Sequence, residues 1–335
     1  MPNRQVRLAA RPTGLPDAST WEYVDADIPV AGPGEFVVKV EYLSLDPAMR
    51  GWLNDVKSYV PPVKLGSVMR AHGVGHVTQT QHPEFKVGDV VAGAFGAAEY
   101  GLSDGTDGTD VTRVDESIAP MPTWLGALGF PGVTAYFGLL EVGKLKDGDT
   151  VVVSGAAGAV GSLVGQIAKI HGCKVIGIAG GPEKCAWLTD ELGFDVSIDY
   201  KNESVYKALR AAAPDGIDVY FDNVGGEILD AALSRLRLGA RVVICGAIAG
   251  YNATEPQPGP SHYLSLLVNR ATMAGFVVFD YLDRYSEAQE QIGKWIKSGQ
   301  LTAREHIVDG GIDAFGDSLN LLFAGANTGK LVLRV

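Results

Sequence analysis

Residues 150–162 read TVVVSGAAGAVGS: a run of β-branched apolar residues, a glycine-rich turn and the small residues of a helix pattern. A strand, a tight turn and a helix form the setting in which a glycine-rich fingerprint binds the pyrophosphate of a dinucleotide. Gly158 would let the backbone approach the pyrophosphate, and Gly161 would let the helix pack close to its strand. Because Ala156 replaces the first glycine of G-x-G-x-x-G, an ordinary strand–helix turn is the alternative interpretation.

The end of the next predicted strand, Lys174–Ala179, indicates which dinucleotide would bind. An NAD-specific site places Asp or Glu there, to accept hydrogen bonds from the ribose 2′-OH. This chain continues instead with GGPEK at 180–184, so no carboxylate stands at the strand tip to repel a 2′-phosphate. The sequence therefore predicts NADP(H), with Lys184 pairing the 2′-phosphate. A solvated lysine on a helix face is the alternative.

The composition of the 335-residue chain, with 46% hydrophobic and 20% charged residues, predicts a folded protein of two domains. A net charge of −11 argues against nucleic acid or an anionic membrane as the main partner. The three cysteines form no C-x-x-C motif, which favours a reducing cytoplasm over a disulfide framework. We find neither a signal-peptide pattern nor an uninterrupted apolar run of about 18 residues, so we expect no membrane span.

The first part of the chain, to about residue 120, is β-rich, with strand-like runs at 35–42, 73–78 and 89–94 between glycine and proline turn signals. Short strands of this kind are typical of a small barrel or sandwich. The acidic stretch DGTDGTD at 104–110 lacks the glutamate that an EF-hand loop requires. We therefore interpret it as a solvated loop rather than a metal site.

From about residue 124 the pattern changes to strands that alternate with helices, which is typical of a doubly wound parallel sheet. The predicted strands are Thr150–Ser154, Lys174–Ala179, Val196–Asp199, 218–221, 241–245 and 272–277. The predicted helices include 159–171, 184–192 and a final helix at 286–298. Two strand-like pieces follow in the tail, at 306–308 and 330–335.

Several long stretches resemble one known family. They are YLSLDPAMRG (42–51), LGALGFPGVTAYFGL (125–139), AAGAVGSLVGQIAK (156–169), ELGFDVSIDYK (191–201), DVYFDNVGGE (218–227), CGAIAGYN (245–252), GFVVFDY (275–281) and NTGKLV (327–332). The resemblance covers nearly the whole chain and is to the medium-chain dehydrogenase/reductase family. Within it the chain is similar to the zinc-independent, NADPH-dependent double-bond reductases, which include leukotriene B4 12-hydroxydehydrogenase/prostaglandin reductase, alkenal reductases and curcumin reductase.

The resemblance implies an α/β fold, in which a GroES-like β-barrel domain is joined to a Rossmann domain with a doubly wound parallel sheet. We expect the substrate and catalytic domain at 1–123, the NADP-binding domain at 124–298 and a C-terminal return to the catalytic domain at 299–335. The implied reaction is NADPH-dependent reduction of the C=C bond of α,β-unsaturated aldehydes and ketones, with hydride transfer to the β-carbon. The family is often dimeric, so the resemblance also implies a homodimer.

Zinc enzymes of this superfamily bind their catalytic metal through a cysteine and a His-Glu pair. Here the first ligand position falls within LSLD at 43–46, and Ala71-His72 stands roughly where the His-Glu pair would lie. No cysteine precedes Cys173, so a cysteine-based zinc site cannot be assembled in the first domain. We expect no metal, and we interpret His72 and His76, four residues apart, as ordinary residues of a glycine-rich strand.

The matching motifs imply a set of site residues. Tyr251, in CGAIAGYN, is implied to lie against the nicotinamide ribose, either as hydroxyl donor to the enolate oxygen or as a residue that only orders the cofactor. The cofactor-binding residues implied by the resemblance are Thr134, Gly158, Ala159, Val160, Lys184, Tyr200, Asn223, Cys245, Ile248, Tyr251, Phe276, Val278, Asn327 and Gly329. The substrate-pocket residues are Ala48, Tyr59, Tyr251 and Phe279.

One departure from the family affects the substrate side. Ala48 stands where the family usually has a tyrosine whose phenol faces the substrate, so the pocket is expected to be wider or to lack that hydroxyl. Two other functions stay open. One is a zinc-independent quinone oxidoreductase, which shares the fold and the cofactor; the other is a non-catalytic NADPH-binding protein.

Overall fold

The computed structural model describes residues 2–106 and 111–335, so that part of the acidic stretch at 104–110 lies outside the described residues. Backbone contacts divide the chain into two compact units. The first is made of Met1–Gly129 and Arg304–Val335, and the second of Phe130–Ala303.

The N-terminal part of the first unit consists of short strands joined by turns. These strands are β1 (Asn3–Leu8), β2 (Trp21–Ala26), β3 (Phe36–Ser44), β4 (Gly73–Thr80), β5 (Val90–Gly93), β6 (Tyr100–Ser103) and β7 (Thr112–Arg113). A short helix, α1 (Ala48–Trp52), follows β3. The predicted strands correspond to β3, β4 and β5. The other strands escaped prediction because sequences such as NRQVRL in β1 carry charged residues without a clear alternation.

The second unit begins with helix α2 (Phe130–Phe137) and then alternates strands with helices. The strands are β8 (Thr150–Ser154), β9 (Lys174–Ala179), β10 (Val196–Asp199), β11 (Ile217–Asp222), β12 (Leu236–Ile244) and β13 (Thr272–Gly275). The helices are α3 (Ala159–Ile170), α4 (Pro182–Ala186), α5 (Val205–Ala212), α6 (Gly226–Leu233), α7 (Leu264–Val268) and α8 (Tyr285–Lys297).

These strands form a six-stranded parallel sheet in the order β10-β9-β8-β11-β12-β13. Counted along the chain, this is the order 3-2-1-4-5-6 of a doubly wound Rossmann sheet. The order reverses between β8 and β11, and ligands of open α/β sheets bind beyond the carboxyl ends of the strands at such a point. The strands are fully apolar where they are covered on both faces, as in VVV of β8, which is buried throughout.

The chain ends in the first unit with β14 (Glu305–Asp309), α9 (Phe315–Ala324) and β15 (Lys330–Arg334). Strand β15 runs parallel to β14 and antiparallel to β3, within a seven-stranded mixed sheet. Its apolar side chains Leu331 and Leu333 join the core that surrounds Phe36, Leu43 and Phe315. The predicted α/β fold class, a β-rich unit with a Rossmann sheet, is confirmed.

Some element boundaries differ from the prediction. The helix expected at 184–192 begins earlier, at Pro182, because proline suits the first turn of a helix; its second half, Trp187–Glu191, is a π-helical segment. The strand expected at 241–245 begins at Leu236 and passes through a register shift. Within the described residues, no helix is long and apolar enough to cross a membrane.

The start of α3 packs against the turn that follows β8 with no room for a side chain. A Cβ on Gly161 would collide with the carbonyl oxygen of Gly155 and lie 2.8 Å from the Cα of Ala156. Both neighbours are backbone atoms, which cannot move without displacing the turn itself. Gly161 therefore sets the distance between the helix and the glycine-rich turn.

Replacing Gly161 by alanine is expected to lower the stability of the second unit by about 1–3 kcal/mol, because the added methyl group overpacks backbone against backbone. Thermal unfolding followed by circular dichroism would measure the change. Gly259→Ala is the matched control, since a Cβ there meets nothing within 4 Å and the melting temperature should stay unchanged. Equal melting temperatures for both variants would contradict the packing argument.

Candidate functional site

The glycine-rich turn after β8 is shaped by Gly155 and Gly158. Gly155 has φ +57°, a left-handed conformation that favours glycine, and it makes the tight turn one residue before Ala156. Ala156, which replaces the first glycine of the fingerprint, is accommodated here. It is fully buried and donates its N–H to the Ile178 carbonyl at 3.0 Å. Gly158 is the N-cap of α3 and brings no capping side chain, which leaves the first-turn N–H groups available to a ligand.

A buried hydrogen-bond network ties the carboxyl ends of β8 and β11 together. Oδ1 of Asp222 accepts from the hydroxyls of Ser154 and Tyr220, each at 2.8 Å. The amide of Asn223 donates to the Ser154 carbonyl at 2.7 Å, and its backbone N–H donates to the Ser154 hydroxyl at 2.8 Å. Asn223 is thereby fixed beside the glycine-rich turn, where the strand order reverses.

The segment after β12 folds onto this network. Cys245 donates its backbone N–H to the Asp222 carbonyl at 2.9 Å, and Ile248 donates to the Asn223 carbonyl at 3.3 Å. The hydroxyl of Tyr251 accepts a hydrogen bond from the backbone N–H of Ala247 at 3.2 Å. Asn223, Cys245, Ile248 and Tyr251 thus lie together beyond the carboxyl ends of the central strands.

The thiol of Cys245 is unsuited to nucleophilic chemistry. Burial, reinforced by the negative charge of Asp222, raises the pKa of Cys245 to about 12. At neutral pH the thiolate, which is the reactive form, is therefore scarce. Cys245 therefore behaves as a small apolar residue beside the carboxyl end of β12.

A pair of lysines lies at the carboxyl ends of β9 and β10. Lys184, in α4, is partly buried, and burial together with the nearby charge of Lys201 lowers the pKa of its ammonium group. The Tyr200 ring and the Lys201 stem cover Gly180, where a Cβ would lie 2.9 Å from Tyr200 Cε1 and 3.0 Å from Lys201 Cε. Because each positive charge disfavours the other, a bound anion would stabilise both ammonium groups. Sequence reasoning missed Lys201, although it is the last residue of DYK at 199–201.

The carboxylate of Asp199 stands close to these lysines but is committed to the backbone. Its Oδ1 accepts from the N–H groups of Gly181 (2.8 Å) and Lys201 (3.1 Å), and the Gly181 bond is the largest cause that lowers the pKa of Asp199. Asp199 therefore braces the loop after β9 while remaining ionised.

Four predicted residues lie near α2 and the segment after β13. Thr134 is a half-buried residue of α2. The Phe276 ring covers Gly138, where a Cβ would lie 2.9 Å from Cε1, so this side chain packs against the chain just after α2. Val278 packs on the apolar cluster around Phe137, and Phe279 meets Phe130 edge to face at 5.4 Å between ring centroids.

The remaining predicted residues belong to the first unit. Ala48 is the first residue of α1 and is half-buried, whereas Tyr59, in the loop that follows, is 54% exposed. Asn327 is buried and donates its amide to the Gly329 carbonyl at 2.9 Å, bracing its own turn. Gly329 has φ +73°, and a Cβ there would collide with the Arg304 carbonyl, so only glycine fits.

Sequence reasoning missed a buried polar cluster at the end of β3. The Lys330 ammonium donates to Oδ1 of Asp46 at 2.6 Å, and the Ser44 hydroxyl donates to Oδ2 of the same carboxylate. Nearby, burial lowers the pKa of His72 to about 4, so its ring is neutral. Ser44, Asp46 and His72 lie within the stretches 43–46 and 71–72, where zinc ligands would be expected. No group of three or more His, Cys, Asp or Glu suited to a metal occurs within residues 2–106 and 111–335.

The second unit fits an NADP-type dinucleotide by its own geometry. The left-handed Gly155, the uncapped start of α3 and the adjacent lysines offer backbone donors to a pyrophosphate and two cations to a further phosphate. The two sets of groups lie at the ends of neighbouring strands, β8 and β9.

Comparisons with known proteins agree with this geometry. A family model described as the N-terminal domain of oxidoreductase matches residues 4–111, and one described as zinc-binding dehydrogenase matches residues 159–295. The chain is 42% identical to the NADPH-dependent curcumin reductase of Escherichia coli and 39% identical to the NADP-dependent 2-alkenal reductase of Nicotiana tabacum. Both alignments cover 99% of this chain and 97% of the relative.

Among solved structures, CurA from Vibrio vulnificus in complex with NADPH superposes with a TM-score of 0.93. It is 43% identical, and the match covers 99% of each chain. The chain therefore belongs to the medium-chain dehydrogenase/reductase family and is an NADP-dependent oxidoreductase of its zinc-independent type.

Proposed function

We propose that the protein reduces the carbon–carbon double bond of α,β-unsaturated aldehydes and ketones with NADPH. The proposal is supported by full-length similarity to a curcumin reductase and a 2-alkenal reductase. The observation that carries it is the placement of the Tyr251 hydroxyl beyond the carboxyl ends of the central strands, fixed there by the Ala247 N–H. Conjugate reduction requires a hydrogen-bond donor to the carbonyl oxygen of the substrate, and a hydroxyl at this place can be that donor.

Bound NADPH supplies the hydride that the β-carbon of the substrate accepts. Negative charge then grows on the carbonyl oxygen of the substrate, and Tyr251 stabilises it by donating its phenolic proton in a hydrogen bond. The hydrogen bond that Tyr251 accepts from Ala247 polarises the phenol and strengthens it as a donor. The α-carbon receives its proton from water or from a side chain.

The cofactor is held, in this proposal, by three groups of residues. The backbone of Gly158, Ala159 and Val160 binds the pyrophosphate, and Lys184, Tyr200 and Lys201 surround the 2′-phosphate. The third group comprises Thr134, Phe276 and Val278, which flank the nicotinamide, Tyr251 at its ribose, and Asn223, Cys245 and Ile248, which line the cofactor cleft. Asn327 and Gly329, from the tail of the chain, complete the set of predicted cofactor residues.

The substrate side is proposed to include Ala48, Tyr59 and Phe279 besides Tyr251. Ala48 leaves the space that a larger side chain would fill at the start of α1, so bulky aryl enones should be accepted as well as short alkenals. Phe279, whose edge meets Phe130, offers an aromatic surface for such groups.

Replacing Lys184 or Lys201 by alanine is expected to weaken NADPH binding roughly 10- to 100-fold, because each removes a charge-assisted contact with the 2′-phosphate. NADH, which lacks that phosphate, should bind each variant as it binds the wild type. Isothermal titration calorimetry would give both affinities. Lys207→Ala, an exposed lysine of α5, is the matched control and should change neither. An equal loss for NADH would remove these lysines from the 2′-phosphate.

Purified protein is expected to oxidise NADPH when given an aryl enone or an alkenal, as followed at the nicotinamide absorbance. A simple quinone and NADH run in parallel. Turnover of the quinone alone would identify a quinone oxidoreductase instead. NADPH binding without turnover of any member of the panel would favour a non-catalytic role.

Tyr251→Phe should lower the turnover number for the enone by about a hundredfold, since it removes one donor to the developing oxyanion. Tyr206→Phe, on exposed α5, is the matched control and should retain full turnover. Unchanged turnover in Tyr251→Phe would mean that this tyrosine only orders the cofactor.

The protein is also proposed to form a homodimer through the edge of the parallel sheet. Strand β13 is the last in the order and is exposed along its length, with Met273 at 39%. Helix α7 beside it exposes Leu264, Leu267 and Val268 at 56%, 74% and 66%. An open strand edge flanked by exposed apolar side chains is typical of a surface that pairs with another copy.

Leu267→Glu is expected to convert the dimer to a monomer, because it places a charge within the apolar patch. Size-exclusion chromatography with light scattering would report the mass. Val87→Glu serves as control, since Val87 is similarly exposed (65%) but belongs to the first unit. A wild-type monomer would contradict the proposed dimer.

A cytoplasmic location is proposed from the cysteines. Cys173, Cys185 and Cys245 are all free thiols in the structure, and free thiols persist in a reducing compartment.

A further inference from the structure

The turn that begins α1 is held from the interior of the first unit by a buried lysine. Lys330 is 3% exposed, and its ammonium donates to the Leu45 carbonyl at 2.8 Å and to Oδ1 of Asp46 at 2.6 Å. The backbone N–H of Leu45 donates to the Leu331 carbonyl at 3.2 Å. Strand β15 therefore holds both backbone polar groups of Leu45 and the side chain of Asp46.

Asp46, which accepts a hydrogen bond from Lys330, also takes part in the first turn of the helix. The carbonyl of Asp46 accepts the Met49 N–H at 3.0 Å, which is the first hydrogen bond of the α1 turn. The Ser44 hydroxyl fixes the second carboxylate oxygen of Asp46. Ala48 lies between Asp46 and the fully buried Met49, so its position follows from theirs.

The middle of α1 has anchors of its own. The buried guanidinium of Arg50 donates from Nε to the Gly14 carbonyl (2.9 Å) and from Nη2 to the Pro12 carbonyl (3.2 Å). Its Nη1 donates to Oδ1 of Asn54 at 2.7 Å. The guanidinium of Arg50 thus anchors α1 itself, and Lys330 anchors the turn that precedes it.

An apolar residue in the place of Lys330 would avoid the free-energy cost of removing a charged group from water. Burial lowers the pKa of Lys330, and the attraction of Asp46 offsets only part of that effect. Burial alone would raise the pKa of Asp46, but Lys330 and Ser44 outweigh it, so the pKa lies below its usual value. A buried ion pair is weak evidence for stability, whereas two directed hydrogen bonds to one turn define a geometry.

We propose that Lys330 is a positioning residue for the substrate, because it fixes the turn at 45–47 and thereby places Ala48 at the start of α1. The inference rests on the proposed function, in which Ala48 belongs to the enone pocket. Lys330 touches neither substrate nor cofactor in this role. It acts through Leu45 and Asp46.

Lys330→Met keeps the apolar stem and removes both hydrogen bonds. We expect the KM for the enone to rise and kcat/KM to fall roughly 10- to 100-fold, while the affinity for NADPH stays within about threefold. Lys169→Met is the matched control, because Lys169 also pairs with an aspartate (Asp195, 2.9 Å) but at the surface of the second unit. It should leave both constants unchanged.

A double variant, Asp46→Asn with Lys330→Met, separates positioning from charge balance. It neutralises the partly buried carboxylate that the single variant leaves without its cation, so its melting temperature should return close to that of the wild type. The KM for the enone should stay raised, because the backbone carbonyl of Leu45 still lacks its hydrogen-bond donor. Recovery of both the melting temperature and the KM would overturn the proposal, as would a single variant with unchanged KM.

Amide hydrogen exchange tells a failure of this inference from a failure of the proposed function. Faster exchange at residues 45–53 in the double variant, with unchanged exchange in β14 and α9, supports the positioning role even if the wild type reduces no enone. Unchanged exchange at 45–53 overturns it, whatever the activity of the wild type. Absence of enone turnover in the wild type counts against the proposed function alone.

Discussion

The carboxylate of Asp222 is almost completely buried at the carboxyl end of β11. It accepts the hydrogen bonds that position the groups around the candidate site. Its Oδ1 receives the hydroxyls of Ser154 and Tyr220 and the N–H groups of Val224 and Gly225. Without these bonds a buried carboxylate would be costly, so the surrounding groups must keep their positions. The turn at 223–226 and the strand end of β8 are thereby set relative to each other.

The placement of the proposed oxyanion donor depends on this constraint. The segment 245–251 is hydrogen-bonded to the carbonyls of Asp222, Asn223 and Val224, and Tyr251 is held within that segment by Ala247. A donor fixed in this way loses little freedom when charge appears on a substrate, which is the condition for efficient electrostatic stabilisation. The hydrogen bonds that hold the candidate site therefore depend on the carboxylate of Asp222, which is buried in the second unit.

The sequence predicted the Rossmann sheet well because its signals are local. Strands β8 and β9 are short apolar runs bounded by glycine or charged residues, as buried parallel strands require, and β10 and β11 follow at the spacing of a βαβ pattern. The first unit was predicted less completely, since β1 and β7 are defined by their pairing with β2 and β5 rather than by the pattern of their own residues.

The same distinction applies to the candidate site. Residues within fingerprints, such as Gly158 and Lys184, could be named from spacing alone. Lys201 and the pair of Asp46 with Lys330 could not, because their partners lie across a loop or at the opposite end of the chain. Contacts between residues 284 positions apart leave no periodic trace in a single sequence.

The return of the chain to its first unit has a consequence for the order of folding. Strand β15 lies inside the mixed sheet between β14 and β3, and Lys330 in that strand pairs with Asp46, 284 positions away along the chain. Bringing two segments so far apart together costs loop entropy before their contacts form. The second unit, Phe130–Ala303, is contiguous, so its strands can pair without β15. We therefore expect the mixed sheet of the first unit to be completed last, by a strand that closes a loop containing the whole second unit.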